Sequence, residues 1–423
     1  MPPRSFTYDA QGIACVAGAR IPDLASAFGT PLYLIDEGEL RTRITEYAAA
    51  AGAENLAYAS KALLIGRVAK LIEEAGMLLD VVGQGELEFA LRVGFPAERI
   101  LLHGVYKSAA ALRLAAKEGV GRIVVDSLEE IPAIAKASRD SGRAQDILIR
   151  LQLGIDPHTH PSLATSVPLS QFGISLDDGQ ALEAVRLALA ADGVVLRGYH
   201  SHIGSAITEL APFRLAAEAL GAFAVAVQTE TGFWPDELDL GGGLGIQEGA
   251  PTPLAVVEEA RDGLAPYAAD LGRPLPRLIF EPGRYLVGPS GITVYRVVGR
   301  KRVGDGRTYL FVDGGMSDNP RPSLYGSYPL MLATHEAGGE TEEVDIAGLH
   351  CETGDVLARG VLLPPLHAGD YLVALDTGAY NHSMSSHYNR VATPPVVFVR
   401  DGVARPATRR DSLADWLRFE VGI

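Results

Sequence analysis

Between about residue 56 and residue 281 the chain repeats one pattern: a short apolar run, a turn, then a longer stretch whose apolar positions recur at intervals of three and four. The short runs predict strands: LAYAS from Leu56, LLDVV from Leu78, RILLH from Arg99, RIVVD from Arg122, DILIRLQ from Asp146, VLRGYHS from Val195, ELDLG from Glu237 and RLIFE from Arg277. The longer stretches predict helices, as in LLIGRVAKLIEEAG from Leu63 and APFRLAAEALGAFAVAVQTE from Ala211. Eight strands alternating with helices is the count of a parallel (β/α)8 barrel; a doubly wound open sheet is the runner-up. After Pro289 the texture changes to β-rich runs separated by Gly, Asp and Pro, among them GITVYRVVGRK, RTYLFVDGG, YLVALDTGAY and PPVVFVRDG. The opening residues hold two further strand-like runs, GIACVAG and PLYLID. The expected organisation is an α/β chain, with a barrel over residues 36–288 and a second, β-barrel or sandwich domain built from 1–35 and 289–423.

Composition narrows the functional classes. With 423 residues, 47% of them hydrophobic, the chain can bury one large core and a smaller one. A net charge of −15 argues against a nucleic-acid partner. The two cysteines, Cys15 and Cys351, lie far apart, which excludes a disulfide scaffold and favours a reducing, cytoplasmic setting. The first ten residues show no basic stretch followed by an apolar run, so no secretion signal is expected. No apolar run reaches the roughly 18 residues that a membrane span needs.

In a (β/α)8 barrel the active site sits at the carboxyl ends of the strands. The predicted strands end on Lys61; Asp80 with Gly83 and Gly85; His103; Arg150; His200, His202 and Ser205; Gly241, Gly242 and Gly243; and Glu281 with Arg284. Lys61, between apolar neighbours, is expected to be desolvated, which makes its amine a better nucleophile toward an aldehyde; a lysine reaching solvent at the rim is the alternative. The triple glycine lets backbone N–H groups approach a phosphate closely, or is simply a tight turn. His200 and His202 share a strand face and could form a metal pair, but no carboxylate-rich motif accompanies them, so no metal is expected and a flat imidazole against a cofactor ring is preferred. A carboxylate such as Glu281, aimed at a pyridine nitrogen, would keep that nitrogen protonated; alternatively it pairs with Arg284 to tie the loop. Asp156, His158 and His160 lie in a Pro-containing segment and read as a solvated loop.

Several longer stretches occur in a telling order: YASKA (58–62), HSHIGS (200–205), LDLGGGLG (238–245), EPGRYLVGPSG (281–291), RPSLY (321–325), CETGD (351–355) and GAYNHSMSSHYN (378–389). Together they resemble the fold-type III pyridoxal-phosphate (PLP) decarboxylases, most of all those acting on diaminopimelate, over almost the full length. The resemblance implies an alanine-racemase-like barrel with a C-terminal β domain, and a head-to-tail homodimer with shared active sites. It implies PLP as cofactor and conversion of meso-diaminopimelate to L-lysine. Lys61 would be the Schiff-base lysine, His202 would stack on the pyridine ring, Ser205, Gly243 and Tyr380 would help hold the phosphate, and Gly242 would also belong to the cofactor site. Glu281 would meet the pyridine nitrogen, with Asp80 and Arg150 in the same cofactor pocket. Arg284, Arg321, Tyr325 and Tyr380 would bind substrate. Cys351 and Glu352 would come from the neighbouring subunit, Cys351 as proton donor. A racemase of this fold usually places an arginine opposite the nitrogen, which EPGR argues against. Departures from the family pattern at Val105, Gln171, Ala206 and Thr353 leave room for another diamino acid or a carboxylated siderophore or antibiotic precursor. A non-catalytic PLP-binding homeostasis protein shares a similar barrel but lacks a β domain.

Overall fold

The computed structural model describes residues 2–156, 170–304, 306–335 and 339–422. His158 and His160 therefore lie outside the described residues. The chain divides into two compact units, residues 44–283 and residues 1–43 with 284–423.

The first unit is the parallel barrel. Its strands are β1 (Ala57–Ala59), β2 (Leu78–Val82), β3 (Ile100–His103), β4 (Arg122–Val125), β5 (Gln145–Gln152), β6 (Val194–His200), β7 (Glu237–Asp239) and β8 (Arg277–Ile279). Consecutive strands pair in parallel from β1 through β8. The ring closes where Leu56 bridges Phe280, with Ala57 N donating to Phe280 O at 2.8 Å. Closure removes both sheet edges, so the unpaired backbone groups of an open sheet never arise. A short strand, Ile174–Ser175, pairs with the end of β5 and has no counterpart in the hydrophobic pattern, because two residues are too few to show a period.

The intervening helices start and stop where local chemistry allows. Ser108 caps Ala109–Glu118 by accepting from Ala111 N at 3.0 Å, and Gly119 ends it at φ 76°. Thr252 caps Pro253–Asp270 in the same way, at 3.2 Å to Ala255 N. Each helix turns its apolar stripe to the strands, as Val68, Leu71 and Ile72 do from Gly66–Glu74.

The amino-terminal ends of the strands carry an ion-pair network around the buried Glu237. Arg122, at the start of β4, donates Nε and Nη2 to the two oxygens of Glu237, both at 2.8 Å, and Nη1 to Asp146 at 3.0 Å. Arg277, at the start of β8, adds a contact to Glu237 at 3.1 Å. Burial alone would raise the Glu237 pKa, but Arg122 and Arg277 outweigh it and hold the carboxyl below its ordinary value.

The second unit is built on one long strand, Gly291–Arg302. Its first half pairs with Leu32–Asp36 on one side and Tyr371–Ala374 on the other. Its second half pairs with Thr308–Val312 after a register shift between Val297 and Gly299. Leu32–Asp36 also runs parallel to Val396–Arg400, so the amino-terminal run PLYLID is sandwiched between carboxyl-terminal strands. The period of two along the long strand sends Ile292 and Val294 into one core and Tyr295 and Val297 into another. The fold class expected from the sequence is what the structure has.

Truncating Glu237 to Ala would leave the guanidiniums of Arg122 and Arg277 facing each other without their shared anion. The expected loss is about 3 kcal/mol of stability, seen as a lower urea midpoint, because a buried ion pair broken on one side leaves an uncompensated charge. An unchanged midpoint would show that solvent, not Glu237, satisfies these arginines.

Candidate active site

The carboxyl ends of the barrel strands gather the polar groups that the amino-terminal ends do not use. Lys61 follows β1 in a short 3-10 turn, Ser60–Ala62. The turn is pinned from the helix Gly83–Arg92 that follows β2: Glu86 accepts from Ser60 Oγ at 2.8 Å and from Val82 N at 2.6 Å. Ser60 and Ala62 are buried but Lys61 is exposed, which corrects the expectation of a desolvated amine. The chain leaves the strand before Lys61, so the burial of its sequence neighbours does not extend to it.

Asp80 lies inside β2 rather than at its end, and is buried at 2% exposure. It faces His103, the last residue of β3, with 3.7 Å from Oδ1 to Nε2. His103 Nε2 in turn lies 3.0 Å from Glu281 Oε1, and His200 Nε2, at the end of β6, lies 3.4 Å from Glu281 Oε2. The two imidazoles meet edge to face at 5.0 Å. Asp239, the last residue of β7, completes the group: ligand atoms of His103, His200, Asp239 and Glu281 all fall within 4.8 Å of one another. Arg150 on β5 approaches Asp126 at 3.4 Å and lies over the Phe172 ring at 4.8 Å.

These groups shift each other strongly. Burial pushes Asp80 up to about 6, although His103 pulls the other way. Burial and the nearby Glu281 charge raise Asp239 well above its ordinary carboxyl value. Burial also raises Glu281, but the imidazoles of His103 and His200 outweigh it and leave it well below its ordinary value. Burial would lower His103; Asp80 and Glu281 together raise it instead. His200 is pushed down to about 4 by burial and is neutral. Glu281 and His103 thus favour each other's charged form, while burial works against the charges of Asp80, Asp239 and His200 around them. Asp80 Oδ1, His103 Nε2, His200 Nδ1, Asp239 Oδ2 and Glu281 Oε1 are all buried without a hydrogen-bond partner. Leaving such atoms unsatisfied is costly, so their convergence marks a place built for a ligand.

The glycines do something the sequence does not reveal. A Cβ on Gly242 would lie 2.2 Å from Glu281 O, and one on Gly243 2.4 Å from Gly204 O. The turn thus lets the segments after β6 and β8 pack backbone to backbone against it. Gly242 N donates to His202 Nδ1 at 3.1 Å, so this amide orients the imidazole rather than waiting for a phosphate. His202 accepts at Nδ1 and is kept neutral by burial and by the Lys61 charge, which suits a flat ring packed on an aromatic cofactor. Gly243, at φ 115°, and Ser205 remain on the same rim as candidates for an anion.

The second unit brings together another predicted set. Arg284 lies over the Tyr380 ring at 4.7 Å, and Arg321 lies 6.0 Å from the Tyr325 ring at the other end of the turn Arg321–Tyr325. Burial, then the Arg284 charge, push Arg321 down to about 10. Burial lowers Arg284 as well, and guanidiniums in such a half-buried setting are suited to meeting a carboxylate. Ser323 Oγ donates to Gly354 O at 2.8 Å and ties this turn to the CETGD loop. In that loop Cys351 and Glu352 are exposed, and Tyr388 donates its hydroxyl to Glu352. His350, unflagged by the sequence, anchors the loop: its ring nitrogens lie 2.8 Å from Ser317 Oγ and 2.8 Å from Asn389 Oδ1. Of the departures from the family pattern, Val105, Gln171 and Thr353 are exposed, and Ala206 sits at φ 63°.

Residues 37–288 match the family described as pyridoxal-dependent decarboxylase, pyridoxal binding domain. The chain is 42% identical over 430 residues to a diaminopimelate decarboxylase of Corynebacterium efficiens, spanning 99% of this chain and 94% of that one. It is 39% identical over 407 residues to the diaminopimelate decarboxylase of Bacillus subtilis, spanning 94% and 93%. A crystal structure of diaminopimelate decarboxylase from M. jannaschii in complex with L-lysine superposes with a TM-score of 0.93 at 29% identity, covering 100% of this chain and 99% of that one. The Helicobacter pylori enzyme, also complexed with L-lysine, gives 0.86 at 28% identity, covering 94% and 98%.

Asp239 tests the electrostatics of the cluster. An acid with a raised folded pKa costs stability progressively as pH climbs from its unfolded value, 3.8, toward its folded one. Asp239→Asn mimics the protonated acid and escapes that cost. Measured on protein stripped of bound small molecules, its stability should gain on wild type as pH rises above about 4, by up to about 1.4 kcal/mol per pH unit. A gap that stays constant with pH would mean that Asp239 is ionised in the folded barrel.

Proposed function

This chain belongs to the pyridoxal-dependent decarboxylases, and from that premise we propose that it converts meso-diaminopimelate to L-lysine and carbon dioxide. The observation that carries the substrate assignment is the paired Arg284 and Arg321 with Tyr325 and Tyr380, a receptor for more carboxylate than a monocarboxylic diamine would offer. The relatives named for the same reaction support it along nearly the whole chain.

The barrel residues fit PLP. The atoms around Glu281 are buried without hydrogen-bond partners, His202 offers a neutral flat face, and the Gly243 turn admits close backbone approach. Lys61 would hold the cofactor aldehyde through its amine, and Gly243, Ser205 and Tyr380 would hold the phosphate. His202 would lie on the ring and Glu281 would accept from the pyridine N–H. Asp80, Arg150 and Gly242 serve one remove away, through His103, Asp126 and His202 respectively. The bound cofactor supplies a protonated ring that draws off the electron pair left when carbon dioxide departs.

The chain's own residues do the rest. Arg321 and Arg284, with Tyr325 and Tyr380, would fix the carboxylates, and Glu352 would take the distal ammonium. Cys351 would return a proton from Sγ to the carbon that lost carbon dioxide, so that bond for bond a C–C link is replaced by C–H. In this reading Cys351 and Glu352 complete the site of a second copy, making the working unit a homodimer with shared sites. The setting is the cytoplasm, supported by the free thiols of Cys15 and Cys351. No helix among the described residues is long and apolar enough to cross a membrane.

Steady-state kinetics across meso-diaminopimelate, lysine, ornithine and arginine decide the substrate. Diaminopimelate should lead in kcat/KM, and Arg321→Ala should cost it at least about 100-fold, the scale of an unpaired carboxylate in the site. Ornithine or lysine ahead of diaminopimelate, or an Arg321→Ala enzyme with intact turnover, would sink the assignment.

The shared site has its own check. Lys61→Ala and Cys351→Ala proteins should each be inactive, and random mixing should restore about a quarter of wild-type activity, since half the dimers are mixed and each of those carries one intact site. No recovery despite demonstrated subunit exchange would place Cys351 in its own chain's site.

A further inference from the structure

Glu281 meets its strongest partner inside the protein. His103, at the end of β3, lies 3.0 Å from Glu281 Oε1, and both residues are buried, at 5% and 6% exposure. The contact is close but not aligned as a hydrogen bond, which leaves Oε1 and Nε2 as orphaned atoms and Glu281 able to accept another donor. The groups facing His103 come from every neighbouring strand: Asp80 on β2 at 3.7 Å, Arg150 on β5, His200 on β6 with ring centroids 5.0 Å apart, Asp239 on β7, and Glu281 after β8.

We propose that His103 is a positioning residue for the decarboxylation: as an imidazolium beside Glu281, it decides that the proton between this carboxylate and a pyridine nitrogen stays on the nitrogen. This rests on the cofactor reading above and adds to it the residue that sets the charge. A proton shared between carboxylate and pyridine has two places to sit. With the proton on nitrogen, the carboxylate is an anion and a neighbouring cation stabilises it; with the proton on oxygen, that attraction is lost. The cation stands at the carboxylate end, so it favours the protonated ring, the better electron sink. The rest of the cluster supports the same state. Asp80 and Glu281 overcome burial to raise the pKa of His103, while burial pushes His200 down to about 4 and disfavours the charge of Asp239, so neither competes for the role.

The test reads the nitrogen directly. Wild type and His103→Gln, each reconstituted with PLP labelled with 15N in the ring, are compared by 15N NMR, alongside steady-state kinetics. Wild type should show a pyridinium signal, and His103→Gln should move it toward neutral pyridine while kcat falls at least about tenfold with KM little changed, as expected when an interaction serves the transition state alone. A pyridinium signal in both proteins overturns the role of His103 and leaves the Glu281 reading standing. A neutral pyridine already in wild type overturns the Glu281 reading instead. If His103→Gln fails to fold or to take up PLP, Asp80→Asn, which removes the acid that supports the His103 charge, is judged on the same signal: a shift toward neutral pyridine upholds the proposal and an unmoved signal overturns it.

Discussion

A carboxylate buried at the heart of the barrel sets the terms for everything around it. Glu281 is almost fully inaccessible, and an isolated ion there would neutralise itself rather than persist. It persists because two imidazoles converge on it from the ends of β3 and β6. That arrangement needs strands from opposite parts of the sequence, 103 and 200 against 281, to end at one level, and the closure of the barrel between Leu56 and Phe280 brings this about. The remaining acids must then give way. Burial and the charge beside it push Asp239 toward its protonated form, and Asp80 is pushed in the same direction. The Glu281 charge is kept, and its neighbours are tuned to allow it.

The same constraint explains the glycines. Glu281 hangs on a backbone whose carbonyl packs where a Gly242 side chain would be, while Glu281 N donates to Gly241 O at 2.7 Å. The carboxylate and the His202 ring are thus located by one turn, since Gly242 N holds His202 through Nδ1. Two functions meet at one triplet: close packing of three loops, and a fixed tautomer for the imidazole that accepts there. A side chain at Gly242 or Gly243 would displace both, whatever its effect on an anion.

Much of this is legible in the sequence alone. The strand ends named from hydrophobic runs fall within a residue or two of the observed ones, because a parallel barrel strand is buried on both faces and reads as a continuous apolar run. LLDVV is the strand Leu78–Val82 to the residue. The charged groups at the ends of those runs can be foreseen for the same reason. Which groups touch cannot be read there. Asp80 stands two residues before its strand ends, so its role shows only once His103 is seen opposite it. Lys61 looks buried because its neighbours are; a turn of three residues, too short to carry a period, exposes it. His350 gives no signal, since its partners Ser317 and Asn389 lie more than thirty positions away on either side and belong to loops without periodicity.

The two ends of the barrel use similar residues to opposite purpose. At the amino-terminal ends, both oxygens of the buried Glu237 are taken by Arg122, and Arg277 adds a third contact. The Glu237 oxygens are satisfied by the protein itself, and the contacts hold β4, β7 and β8 together. At the carboxyl ends the carboxylates and imidazoles are just as buried, yet five of their atoms lack hydrogen-bond partners. Burial and charge therefore do not separate a structural network from a functional one in this fold; satisfaction does. A fully bonded cluster has already spent its capacity on the protein, whereas an incompletely bonded one retains capacity for a ligand and carries its cost until that ligand arrives. That cost is tolerable only because the surrounding barrel is closed and packed, which ties the chemistry at one end to the ion pairs at the other.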